Sequence, residues 1–167
     1  MEYIDGEKII DWAKKSETKS DEIRSVINNV LRECYLLDNA GIDHGELSMI
    51  DKHVIVEKNK NTIIDFESSS VNRKTSNVSG AVQAIFIGCG LAKIIQKKIK
   101  LPTKMRIINL TRQYKKNPTL ENFEKITIGL KIQKPGKFVK DVAILSKDEK
   151  LGPIVRRVGP CTMRITK

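Results

Sequence analysis

Five residues able to do chemistry fall between positions 44 and 65: His44, Glu46, Asp51, His53 and Asp65. A carboxylate on a loop can orient or deprotonate an attacking hydroxyl. An Asp with a second oxygen or nitrogen donor can hold a divalent cation. Phosphoryl transfer needs both, an acid to position the nucleophile and ligands to keep magnesium on nucleotide phosphates. Asp43, directly before His44, adds a further acid to the stretch "GIDHGELSMIDKHVIVEKNKNTIIDFES".

These groups must be delivered by regular elements. Ile23, Val26, Ile27, Val30, Leu31, Cys34 and Leu37 recur at helical spacing, so residues 21 to 40 read as an amphipathic helix, with Ser20 as cap and Gly41 as stop. His44 and Glu46 then lie on a loop. "HVIV" (53 to 56), "EKNKN" and "TIIDF" (62 to 66) read as a two-stranded hairpin whose ends bring His53 and Asp65 to one region. Residues 67 to 79 are polar and predict an exposed loop. Helices are expected near 78 to 98, 103 to 115 and 119 to 131, the last capped by Thr119. Trp12 and Phe86 are expected in the core. The tail from Gln133 is rich in Pro and Gly and reads as irregular, with one strand at "FVKDVAIL".

The chain of 167 residues is 40% hydrophobic and 31% charged, which fits one soluble globular core. Cys34, Cys89 and Cys161 lack the close pairing of a zinc or redox motif, so a reduced, cytoplasmic compartment is expected. The apolar run 81 to 95 is short for a membrane span and carries Gln83 and Lys93, so no membrane is expected as a partner. The net charge of +11 is segregated: residues 1 to 67 carry 9 basic and 15 acidic side chains, and residues 68 to 120 carry 11 basic and none acidic. A basic surface of that size suits polyanions, whether nucleic acid, an acidic protein or nucleotide phosphates. Aromatic residues, at 5%, are too few for a stacking platform on single strands.

Taken together, "MEYIDG" (1 to 6), "LDNAGIDHGELS" (37 to 48), "KHVIV" (52 to 56), "IIDFESSS" (63 to 70) and "RKTSNVSGAVQAIFI" (73 to 87) resemble the archaeal serine/threonine protein kinase-like family of small atypical kinases. The resemblance covers about residues 1 to 131 and implies an α+β, mainly helical fold, a protein-kinase-like C-lobe with a small β-hairpin. Residues 132 to 167 form a separate basic extension. It implies ATP and magnesium as cofactors and a protein Ser/Thr substrate.

By the same resemblance, Glu2 and Ile4 sit in the hinge, with their backbone groups facing the adenine. Glu46 takes the catalytic carboxylate position of "HGEL", His44 supports the loop, and Asp65 of "DFE" binds the metal-nucleotide. The second metal ligand falls on Asp51 by strict spacing, or on His53 if two residues are inserted; His53 is favoured because it precedes the strand. Arg73 and Lys74 would hold substrate or phosphate. Glu46 is one methylene longer than the Asp of the usual pattern, and a displacement of ~1 Å can cost ~100-fold in rate.

The glycine-rich loop, strand lysine and helix glutamate of a kinase precede the hinge, and no "GxGxxG" occurs here. The expectation is therefore a C-lobe whose N-lobe is missing, inactive or incomplete alone, with Met1 either an internal methionine mistaken for a start or the product of a truncated gene. The competing reading is a non-catalytic kinase-like module for nucleic acid or an acidic partner. Residues 148 to 165 are also similar to the lead-in segment of alkyladenine DNA glycosylases of the helix-hairpin-helix superfamily, from which no glycosylase activity follows.

Overall fold

A computed structural model describes residues 5–15, 17–88 and 90–133. It is α+β and mainly helical. The elements run β1 (Glu7–Lys8), α1 (Ile9–Lys14), α2 (Ser20–Asn39), a 3-10 turn (Leu47–Met49), α3 (Ile50–His53), β2 (Val54–Glu57), β3 (Lys60–Ile63), α4 (Asn77–Phe86), α5 (Gly90–Lys98), α6 (Lys104–Lys116) and α7 (Leu120–Gly129). Glu2 and Ile4, expected in a hinge, the stretch "FVKDVAIL", expected as a strand, Cys161 and nearly all of the residues from 132 on lie outside the described residues, as does Cys89.

The seven apolar residues expected on one face of α2 are all buried. They pack on α4 and β3, which makes α2 the central strut. The helix starts one position earlier than read from sequence. Lys19, in extended backbone, stands at the cap and donates its N–H to Glu22 Oε2 at 2.8 Å. Ser20, the expected cap, lies inside the first turn and donates to the Lys98 carbonyl at the end of α5. Gly41 (φ +72°) ends α2 as expected. Trp12 and Phe86 are buried.

The expected hairpin is present, with Val54 opposite Ile63 and Glu57 opposite Lys60. Its two-residue turn is Lys58–Asn59, both at positive φ, the geometry that suits the twist of a tight hairpin. Two details differ from the sequence reading. The short strand β1 pairs with β2, so the sheet has three antiparallel strands. The hairpin strands are also shorter at the site end: His53 closes α3, and β3 stops two residues before Asp65.

The helix expected over 78 to 98 is broken into α4 and α5 between Phe86 and Gly90. Gly88 and Gly90 flank the break, where each glycine weakens helix by ~1 kcal/mol relative to alanine. The capping expectation at Thr119 holds, since its Oγ1 accepts from Asn122 N. Among the described residues no single helix is long and apolar enough to cross a membrane, although the bent pair α4 and α5 reaches that length and composition together.

One carboxylate joins three helices. Asp38, near the end of α2, accepts from the N–H groups of Asn77 (3.0 Å) and Val78 (3.2 Å) at the start of α4, from the Asn77 side-chain amide (2.8 Å) and from the Tyr114 hydroxyl of α6 (3.0 Å). It is thus a cap for α4 supplied from far along the chain. Burial raises the Asp38 carboxyl above its ordinary 3.8, despite hydrogen bonds that favour the charged form. The same carboxylate and burial together push the Tyr114 hydroxyl far upward.

Two outcomes follow for stability. Asp38→Ala leaves four donors unpartnered and should cost about 2–4 kcal/mol in urea unfolding, against about 1 kcal/mol for Tyr114→Phe. Because the folded state binds the Asp38 proton more tightly than the unfolded chain, stability from this group decreases as pH rises from 3.8 through the raised value. Wild type should therefore gain on Asp38→Asn as pH is lowered through that window. A pH-independent difference between the two would contradict the buried-carboxylate account.

Candidate metal centre

The loop after α2 is held from below. Asn77 accepts from His44 N–H at 2.9 Å and donates its amide to the Ile42 carbonyl at 2.7 Å, so the Asp38–Asn77 pair fixes both sides of Asp43. Asp43 and Ser70 exchange backbone hydrogen bonds (2.9 and 2.8 Å), joining this loop to the segment that follows Asp65. Gly45 makes the turn at φ +91°, and a β-carbon there would meet Arg73 Nη2 at 2.5 Å and the Ser68 carbonyl at 2.9 Å. The glycine of "HGEL" is thus required twice, by conformation and by space.

His44 is fully buried. Its Nε2 lies 3.0 Å from the Ile64 carbonyl, so this nitrogen carries the proton, and its ring sits 4.6 Å from that of Phe66. Burial holds the imidazole below its ordinary 6.5 against the opposing pull of that carbonyl, and keeps it neutral at neutral pH. His44 thus supports the turn that presents Asp65. Asp65 itself has φ +66°, a conformation that costs a non-glycine residue on the order of 1 kcal/mol and that is found at sites where geometry matters more than ease.

The structure brings together Glu46, His53 and Asp65. His53 Nε2 is 3.1 Å from Glu46 Oε2, and His53 Nδ1 is 3.6 Å from Asp65 Oδ2. One ligand atom from each of the three falls within 4.8 Å of the others. His53 is 4% exposed, and neither ring nitrogen makes a hydrogen bond of good geometry. A buried imidazole with both nitrogens unpaired, set between two carboxylates, is suited to a cation.

Asp51 is not part of the cluster. It stands two residues before His53 on α3, and residues two apart on a helix point in nearly opposite directions, so they cannot share a site. Of the two residues that spacing left open, His53 is the one grouped with Glu46 and Asp65.

Two participants, Ser68 and Asn77, were not visible from sequence, and Asp43 takes a role that the sequence did not show. Ser68 Oγ donates to Glu46 Oε1 at 2.9 Å. Asp43, buried, accepts from Arg73 Nε at 3.0 Å and from the Ser76 N–H (3.0 Å) and hydroxyl (3.2 Å). Arg73 also donates to the Ser68 carbonyl at 2.5 Å. Arg73, expected to hold substrate, is therefore engaged in fixing the loop. Lys74 is exposed beside it. Asn77 lies in the stretch read as an exposed loop and is instead buried at the start of α4.

No protein-family model matches the chain. The uncharacterized protein MJ1211 of Methanocaldococcus jannaschii is 30% identical over 101 residues, which are 60% of this chain and 84% of that relative. The chain belongs to the family of that archaeal protein. The relative's name carries no activity.

Gly45→Ala should displace Arg73 or the loop, lower the unfolding free energy by about 1–2 kcal/mol and weaken any cation binding at His53. Unchanged thermal stability in Gly45→Ala would show that the loop is less constrained than its contacts indicate.

Proposed function

We propose that the chain is the C-lobe part of a serine/threonine phosphotransferase that uses ATP and a divalent cation. The observation that carries this reading is the double engagement of Glu46: one oxygen accepts a seryl hydroxyl, from Ser68, and the other faces the cation ligands His53 and Asp65. A phosphotransfer site must hold an acceptor hydroxyl and a metal-nucleotide within one side chain's reach. On this reading a substrate hydroxyl would take the place of the Ser68 hydroxyl on Glu46.

Glu46 would orient that hydroxyl and accept its proton, with its longer side chain reaching from a loop held by Gly45 and Asn77. His44, neutral and buried, would keep Asp65 aimed at the nucleotide. His53 and Asp65 would hold the cation, magnesium by the kinase resemblance, which would neutralise charge on the phosphates. The backbone of Glu2 and Ile4 would face the adenine.

Transfer from γ-labelled ATP to serine and threonine peptides should be measured with the full product of the gene. It should be detectable and fall by more than about 100-fold in both Asp65→Ala and Glu46→Ala. Full activity in Asp65→Ala, or no transfer by the wild-type product, would overturn the reading.

A second reading is favoured by one further observation. Lys93, Lys97, Lys100, Lys104, Arg106, Arg112, Lys115 and Lys116 on and around α5 and α6 are exposed, in a stretch without an acidic residue. Such a density of exposed cations suits a non-catalytic nucleic-acid module. Duplex or single-stranded binding should then weaken steeply, by tenfold or more, between about 50 and 200 mM salt. Binding indifferent to salt, or absent at low salt, would remove it.

A further inference from the structure

We infer that the Glu46–His53–Asp65 cluster is a site for a first-row transition ion, of the manganese-to-zinc series, in preference to magnesium. This extends the phosphotransferase reading by naming the cation of the same site, while the binding preference itself rests on the ligands alone.

The argument starts from the donors. Magnesium demands oxygen ligands in near-ideal octahedral geometry and gives up water reluctantly. Imidazole nitrogen is a softer donor that suits zinc, iron, copper and nickel, and affinity for mixed nitrogen and oxygen sites rises along the first row from manganese. His53 supplies such a nitrogen from a ring that is 4% exposed and has both nitrogens without a hydrogen bond.

The spacing agrees. The 3.1 Å between His53 Nε2 and Glu46 Oε2 lacks hydrogen-bonding alignment. It is close to the ~3.0 Å edge of a coordination sphere with ~2.1 Å bonds. Two donors held at that distance without bonding to each other are placed to share a third atom. Asp65 Oδ2 lies 3.6 Å from His53 Nδ1, and one ligand atom of Asp65 falls within 4.8 Å of those of His53 and Glu46, which completes the donor set. Asp65 is half exposed and Glu46 one-third exposed, so the cluster opens to solvent on its carboxylate side. Ions and their remaining waters can enter there. Ser68 fixes the other oxygen of Glu46, which orients the ligand oxygen before any ion arrives.

The test uses the full chain without nucleotide, titrated calorimetrically with Mn²⁺, Zn²⁺ or Mg²⁺ alone. Mn²⁺ should bind at least tenfold more tightly than Mg²⁺, and Zn²⁺ more tightly still. His53→Asn should remove the preference while leaving weak binding of all three ions. The wild-type Mn²⁺ complex should show imidazole ¹⁴N coupling in pulsed electron paramagnetic resonance, a readout that does not depend on a variant folding. Equal affinity for Mg²⁺ and Mn²⁺, undetectable binding of Mn²⁺, or a Mn²⁺ complex without nitrogen coupling would overturn the inference. Loss of phosphotransfer with this metal preference intact would instead sink the phosphotransferase reading and leave the site standing.

Discussion

The fold around the site depends on the carboxylate of Asp38. It lies near the end of α2, where it caps α4 across nearly forty residues of chain, holds Asn77 by two bonds and ties in Tyr114 of α6. Asn77 passes that constraint to the loop by gripping His44 N–H and the Ile42 carbonyl. Partly burying an acid is costly unless its lone pairs are satisfied, and here they are. The apolar packing of α2 on α4 sets where the two helices lie, and this polar junction sets how the loop between them is aimed.

From that anchor the site is built in two halves that meet at His53. The loop half carries His44, Gly45 and Glu46, and is joined to the other by the Asp43–Ser70 backbone pair and the Arg73 bridge from Asp43 to Ser68. The hairpin half carries His53 and Asp65, with Asp65 in a left-handed conformation beside the Ile64 carbonyl that His44 holds. Two carboxylates are thus directed at one buried imidazole. Leaving such a ring without hydrogen bonds costs free energy that a bound cation would recover.

Much of this was legible in the amino-acid sequence, and the reasons for success and failure are physical. The α2 stripe and the alternating hairpin strands announce themselves because burial on one face imposes a period on the chain. His44, Glu46, His53 and Asp65 could be singled out by the kinase resemblance, and the structure sets Glu46, His53 and Asp65 within one cluster. The break between α4 and α5 was hidden because apolar residues run straight across it, and only the glycines at 88 and 90 mark it. Asp38, Asn77 and Arg73 were missed as organisers because their partners lie 30 or more residues away, where a local pattern carries no information. Asn77 in particular looked like one more polar residue of an exposed loop. The choice between Asp51 and His53 needed the direction of each side chain on α3, which spacing alone does not give.

The central claim is that Glu46, His53 and Asp65 form one cation site. Anomalous X-ray diffraction at the manganese edge, from crystals soaked in Mn²⁺, tests it most directly. The account predicts a single strong anomalous peak within bonding distance, about 2.0–2.3 Å, of a His53 ring nitrogen and of carboxylate oxygens from Glu46 and Asp65. A peak elsewhere on the chain with none at His53, or His53 hydrogen-bonded to both carboxylates with no peak between them, would contradict it.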